Sequence, residues 1–279
     1  MKKLFVFAKR AEISDAVKIL SALSEFDCML YTDIKTSFEK ASFSEKPEDV
    51  VHECDFLIVL GGDGSLIGVA REFARFKKPI LGINFGRLGY LVELEKDDVS
   101  KAKCLFDGNF RLENRIMLET KVVRNGDTVF SGTALNDAVI TKGALSKMIH
   151  FKMYADSQEV NSYHADGMVV ATPTGSTAYS MSAGGPVVAP ELEVLVLTPI
   201  CSHSLTSKPI VVSDEQTIRI DTEFRQDEEV ILTLDGQECF RLSRGDIVEI
   251  TKSVHKTQLV RITERSFFYN LQQKLNENR

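Results

Sequence analysis

Over the first hundred residues, short apolar runs alternate with apolar positions at helical spacing. Leu4 to Ala8 is a run, and Ile13, Ala16, Val17, Leu20 and Leu23 follow at intervals that share one helix face. Phe56 to Leu60 is unbroken apolar sequence, the pattern of a strand buried on both faces of a parallel sheet, and Gly61 to Ser65 follows it directly. Leu66, Val69, Ala70 and Phe73 predict the next helix, with Ser65 as its N-cap. Pro79 to Ile83 predicts another strand, and Asp97 to Phe106 a further helix ended by Gly108. Strand and helix in alternation predict a Rossmann-like α/β domain built on a parallel sheet.

Beyond about residue 112 the helical period nearly vanishes. Predicted strands are Leu118 to Arg124, Met148 to Tyr154, Met168 to Ala171, Val194 to Thr198, Ile210 to Val212, Thr217 to Ile220, Val230 to Leu234 and Ile247 to Ile250. Asn125-Gly126 predicts a two-residue hairpin turn, because a type I′ turn needs positive φ at both positions. Residues 112–265 therefore form a second, all-β and sandwich-like domain. A stripe of Phe267, Phe268, Leu271 and Leu275 predicts a C-terminal helix, at about residues 266–279, that returns to cover the first domain at residues 1–111.

Composition changes this picture little. Hydrophobic residues at 43% and charged residues at 27% of 279 are ordinary for a globular chain, and the net charge of −6 comes without the basic stripe of a nucleic-acid binder. The apolar run in MKKLFVFAKR is too short for a signal-peptide core, and no stretch reaches membrane-spanning length, so the expectation is a cytoplasmic protein with neither nucleic acid nor membrane as partner. The five cysteines form no Cys-x-x-Cys pair, and His52, His150, His203 and His255 lack metal-ligand spacing, so no residue is assigned as a metal ligand.

Chemistry concentrates at two places. The first is Gly61, Gly62, Asp63, Gly64 and Ser65, between a buried strand and a helix start, where glycines and N–H groups suit phosphate oxygens. Asp63 would repel bound phosphate, so it either holds a metal ion, takes a proton from an attacking hydroxyl, or merely caps the helix. The turn is not a Walker A loop, and Gly62, Gly64 and Gly68 miss the dinucleotide fingerprint by one residue. The second is ATPTGSTAYSMSAGGP, where Thr174, Ser176 and Thr177 offer hydroxyls and Tyr179 an aromatic face for a base or ribose.

GGDGS, NFGRLGYL at residues 84–91, ALNDAVI at 134–140 and TPTGSTAYSMSAGGP stand in an order that resembles the NAD kinase family. HSLTSKPIVV at residues 203–212, DGQ at 235–237 and FFYNLQQKL near the C-terminus extend the resemblance along essentially the whole chain. GGDG alone is shared with lipid-kinase-like and sugar-kinase-like enzymes, which remain an alternative, as does a non-enzymatic NAD or NADP sensor. The resemblance implies an α/β domain and a β-rich domain with the active site in the interdomain cleft. It also implies Mg²⁺-dependent phosphoryl transfer from ATP, or polyphosphate, to the adenosine-ribose 2′-hydroxyl of NAD, and a homotetramer or homodimer.

Carried onto matching positions, the resemblance makes Asp63 the base or hydroxyl-orienting group, with Gly64 beside it at the reacting ribose. Asn136 and Asp137 contact adenosine and its ribose hydroxyls, and Thr174, Thr177, Ala178 and Tyr179 form the adenine side. Ser180, Met181 and Ser182 continue that loop, Asp166 faces the nicotinamide end, and Gln237 is a further ligand contact. Asp137 stands where many members carry Glu. Lys147 and His164 occupy variable positions near the substrate, the second often Arg, so a neutral imidazole there discriminates weakly against NADH. Arg115, in NRIML, also matches a family-like segment, with a structural ion pair as its plainer reading.

Overall fold

The structure, a computed structural model, describes residues 1–86, 89–204, 207–225 and 227–277. Arg87 and Leu88 of the NFGRLGYL segment, Leu205 and Thr206 of HSLTSKPIVV, and the last two positions of the expected terminal helix lie outside them. The chain forms two compact units, Met1–Asn114 with Lys256–Arg279, and Arg115–His255.

The first unit contains β1 (Lys2–Phe7), α1 (Ile13–Leu23), β2 (Cys28–Thr32), β3 (Ala41–Phe43), α2 (Glu48–Val51), β4 (Phe56–Leu60), α3 (Asp63–Phe73), β5 (Ile80–Asn84), β6 (Leu94–Glu95) and α4 (Cys104–Asp107). Its parallel strands run in the order β3-β2-β1-β4-β5, with β6 also beside β5. Leu4, Val6, Ile58 and Leu60 pack with Ala16, Ile19, Leu20 and Leu23 of α1 on one face. On the other, the Phe7 ring lies 4.8 Å from Phe73 of α3. Burial on both faces explains why β4 shows no polar alternation, and each such Leu or Ile contributes about 1.5–3 kcal/mol. The strand order reverses between β1 and β4, so the crevice at their carboxyl ends is where a doubly wound sheet binds ligand. Gly61 to Ser65 leaves β4 at that end.

Three expectations are corrected here. The helix after β4 starts at Asp63 with Gly62 in the N-cap position, and Ser65 sits inside its first turn. The N–H groups of Ser65 and Leu66 bond back to the Gly62 carbonyl at 3.0 and 3.2 Å. The apolar stripe marks where burial begins, three residues after the backbone has turned helical. Residues Lys96–Lys103 form a 3₁₀ helix before the single α turn of α4, and Gly108 ends it at φ +74°. Val99, Ala102 and Leu105 repeat every third residue, which suits three residues per turn. The terminal helix, Phe267–Glu277, sets Phe267 6.4 Å from Tyr90, but Phe268 and Leu275 stay 65% and 51% exposed, so its stripe is not buried as a whole.

The strands that follow are β7 (Arg111–Arg124), β8 (Asp127–Ala134), β9 (Asp137–Lys142), β10 (Ile149–Ala155), β11 (Gln158–Ala165), β12 (Gly167–Ala171), β13 (Val194–Ile200), β14 (Ile210–Ser213), β15 (Ile218–Glu223), β16 (Val230–Leu234), β17 (Glu238–Leu242) and β18 (Ile247–Arg261). β7 and β18 are much longer than their predicted segments, and each runs across a unit boundary. In the second unit one antiparallel sheet has the order β14-β13-β12-β9-β16-β17. A second antiparallel set is β11-β10-β15-β18. Ile140, Met168, Leu197 and Leu232 of the first share one core with Phe151, Tyr163, Ile220 and Ile250 of the second, which makes the unit a β-sandwich.

The Asn125-Gly126 turn has φ of 53° and 91° and joins Arg124 to its partner Asp127, as the dipeptide predicts. A Cβ at Gly126 would meet nothing within 4 Å, so only backbone strain opposes a side chain there. Gly126→Ala should destabilise the protein by about 1–2 kcal/mol in urea unfolding. An unchanged midpoint would show that the turn relaxes at no cost.

Candidate active site

In the first unit, the Asp63 carboxylate is turned onto the backbone that follows β5. Oδ2 accepts the Tyr90 N–H at 2.7 Å, and Oδ1 accepts those of Leu91 and Val92 at 3.1 and 3.2 Å. Hydrogen bonds to a charged group contribute about 1.5–3 kcal/mol each, so the carboxylate is held firmly. A carboxylate offers about four lone-pair sites; among the described residues these donors fill three, leaving room on Oδ2 for a hydroxyl. A Cβ on residue 89 would overlap the carboxylate, which is why a glycine stands there. Arg10, beyond β1, donates to the Gly64 carbonyl at 3.3 Å. The Gly61 and Ser65 N–H groups bond the carbonyls of Ile83 and Gly62, at 2.9 and 3.0 Å, and so serve the turn itself.

In the second unit, a corner is built around Asp235. Its Oδ1 accepts the N–H groups of Asn136 and Asp137 at 2.7 and 3.1 Å, and its Oδ2 that of Leu135 at 2.8 Å. Asp235 and Gly236 have φ of 51° and 64°, the tight turn between β16 and β17 that brings this acid back to the start of β9. Thr172 closes the other side: its N–H reaches the Asn136 carbonyl at 2.8 Å and its hydroxyl the Leu135 carbonyl at 2.6 Å. Gly175 packs on the Asn136 backbone so closely that a Cβ would overlap it. The Asn136 Oδ1 is buried and has no hydrogen-bond partner among the described residues.

The Thr174 to Ser182 loop divides its hydroxyls between structure and surface. Thr174 Oγ1 accepts from buried Arg115 at 3.2 Å, so Arg115 braces the loop. Ser176 accepts the Val188 N–H at 3.0 Å. Ser180, read from sequence as a substrate contact, is fully buried with its hydroxyl 2.9 Å from that of Thr198, so its side chain faces the interior. Thr177, Ala178 and Met181 are half-buried, whereas Tyr179 and Ser182 are exposed.

The residues expected at the nicotinamide end lie elsewhere in this unit. Ala171 pairs with Asp137 at one end of β12 and Gly167 with Thr141 at the other, so about 13 Å of strand separates Asp137 from the neighbourhood of Asp166. Asp166 lies 3.7 Å from Lys142. The His164 ring stacks on His150 at 4.6 Å, and His164 lines a 280 Å³ cavity with Met148, Ser162, Tyr163, His203 and Ser204. Lys147 and Gln237 are exposed.

Residues 16–106 match the family model of the ATP-NAD kinase N-terminal domain, and residues 135–262 that of the ATP-NAD kinase C-terminal domain. The NAD kinase of Thermoanaerobacter sp. (strain X514) is 38% identical over 283 residues, which cover 99% of this chain and 100% of that one. The chain belongs to the NAD kinase family. As a member it is an enzyme with NAD kinase activity. The NAD kinase of Syntrophotalea carbinolica is 45% identical over 223 residues, 79% of this chain and 78% of its own. Among solved structures, an NAD kinase from Archaeoglobus fulgidus in complex with ATP has a TM-score of 0.77 at 28% identity, with 99% of both chains covered. Yeast NADH kinase complexed with NADH shares the fold at a TM-score of 0.88 and 23% identity, over 100% of this chain and 88% of that one.

In this NAD kinase Asp137 is 4% exposed, and burial, then the negative charge of Asp235, pushes its pKa up to about 7. A folded value above the unfolded one means that its stabilising contribution is complete below about pH 4 and is lost as the pH rises through 7. Thermal melts of Asp137→Asn should therefore decline less than those of the parent between about pH 4 and about pH 8. Parallel curves would show that the carboxyl is not held neutral.

Proposed function

We propose that this NAD kinase transfers the terminal phosphoryl group of ATP to the 2′-hydroxyl of the adenosine ribose of NAD, giving NADP. The observation that carries this reading is the seat of Asp63: an acid at the carboxyl end of β4, beside the reversal of strand order, fixed by three backbone donors. Asp63 accepts or orients the proton of the attacking hydroxyl, and Gly61, Gly62, Gly64 and Ser65 bring the turn close to the donor phosphates. Asn136 and Asp137 bind the adenosine and its hydroxyls. A buried acceptor without a donor costs about 1–3 kcal/mol, so a ligand N–H or O–H at Asn136 Oδ1 would relieve it. Thr174, Thr177, Ala178 and Tyr179 form the adenine side, with Met181 and Ser182 following, while His164 and Asp166 meet the nicotinamide end and Lys147 and Gln237 add contacts.

Among the described residues, no three His, Cys, Asp or Glu side chains converge as a metal cage. Mg²⁺ would be held by the substrate phosphates and waters, which leaves the open site on the Asp63 carboxylate to the hydroxyl. When bound, Mg²⁺ neutralises triphosphate charge; positioning of the hydroxyl falls to the protein. Polyphosphate presents the same phosphate chemistry as an alternative donor. The cysteines are free thiols, which suits the reducing cytoplasm. The resemblance to the family supports a homo-oligomer, a dimer or tetramer.

Incubation with ATP, Mg²⁺ and NAD should yield NADP. Asp63→Asn should lower turnover by about 10²–10⁴-fold while NAD still binds, and near-normal turnover would remove Asp63 from its role. With an imidazole at His164 in place of an arginine, the specificity constants for NAD and NADH should lie within about tenfold. A strict preference for NAD would sink that reading.

A further inference from the structure

We propose that Arg261 is a positioning residue for phosphoryl transfer, acting through the backbone strip that holds Asp63. The inference rests on the reading of Asp63 as the acid that takes or orients the hydroxyl proton.

Arg261, at the end of β18, is 6% exposed. Its NH1 donates to the Leu91 carbonyl at 3.0 Å and its NH2 to the Tyr90 carbonyl at 3.2 Å. The peptide group whose carbonyl belongs to Tyr90 carries the Leu91 N–H, which donates to Asp63 Oδ1. The next, whose carbonyl belongs to Leu91, carries the Val92 N–H, which donates to the same oxygen. Two consecutive peptide groups thus each bridge the guanidinium to the carboxylate. C=O and N–H of a trans peptide point in opposite directions, so the cation and the acid grip the strip from opposite sides. Hydrogen bonds in such a chain polarise and strengthen one another.

Arg261 is itself fixed. Glu93, 5% exposed, accepts from NH1 at 3.2 Å, and Glu113 accepts from Nε at 3.0 Å. The other Glu93 oxygen accepts the Ile262 N–H at 2.8 Å and the Thr263 hydroxyl at 2.7 Å, tying the segment after β18 to the same acid. One planar guanidinium serves two carbonyls and two carboxylates at once. An ammonium cannot reproduce that fork, although it keeps the charge.

The experiment is steady-state kinetics on Arg261→Lys, Glu93→Gln, Asp63→Asn and the double variant Arg261→Lys/Asp63→Asn. A lysine keeps the positive charge against the two glutamates, but its three donors cannot serve all four acceptors in the fork geometry that sets the two carbonyls. Turnover of Arg261→Lys should fall about 10- to 100-fold, the size of effect expected from slight misplacement of a reacting group, with KM for NAD close to that of the parent. In the Asp63→Asn background the same lysine should cost little, because there is no acid left to misplace. Glu93→Gln should show the same split with a smaller factor, and it carries the test alone if Arg261→Lys does not fold. Normal turnover in both single variants, or an equal loss from lysine with and without Asp63, overturns the positioning role. Near-normal turnover in Asp63→Asn overturns instead the reading of Asp63 on which that role depends.

Discussion

A carboxylate on a flexible side chain is a poor reference point for chemistry that depends on tenths of an ångström. Asp63 escapes that weakness because its oxygens are set against three successive N–H groups of the chain after β5. Two of those N–H groups, of Leu91 and Val92, are in turn immobilised through their own peptide carbonyls by a guanidinium that is nearly removed from solvent. Burying that cation costs desolvation, which only its two carboxylate partners and good geometry offset. The parallel sheet explains where this happens: β4 and β5 deliver both strips at the same edge, next to the reversal of strand order.

The second unit uses the same device for a different purpose. Asp235 gathers the N–H groups of residues 135 to 137, which shapes the entrance to β9. Placing a second acid beside it has an electrostatic consequence, for Asp137 is buried and cannot easily carry charge there. A neutral carboxyl both donates and accepts, whereas the anion only accepts. Two acids of similar chemistry are therefore made different by their surroundings: Asp63 half-buried, Asp137 deeply so.

Strands buried on both faces, and turns with demanding backbone angles, were legible in the sequence. Phe56–Leu60 and the Asn125-Gly126 hairpin stand where their patterns place them. Helix details were not, since apolar spacing reports burial and not the start of a helix or its winding, hence Gly62 in place of Ser65 and a 3₁₀ turn before α4. Short or mixed strands such as β2, β3, β11 and β17 carry too little alternation to stand out. The Gly-rich turn and the Thr-Tyr loop announce themselves by residue type. Glu93, Arg261 and Asp235 do not, because their meaning lies in partners about a hundred or more positions away in the chain, and nothing local distinguishes an arginine that clamps carbonyls from one on a solvated strand.

Gly89 carries a consequence of its own. Because any side chain at that position would collide with the Asp63 carboxylate, position 89 is confined to glycine while the acid keeps its seat. The loop bearing Tyr179 and Ser182 has more freedom, with both side chains exposed and its backbone secured by buried Ser176 and Ser180. Substitutions in that loop can therefore change exposed chemistry without unseating the backbone, while a side chain at position 89 would displace the Asp63 carboxylate from its donors.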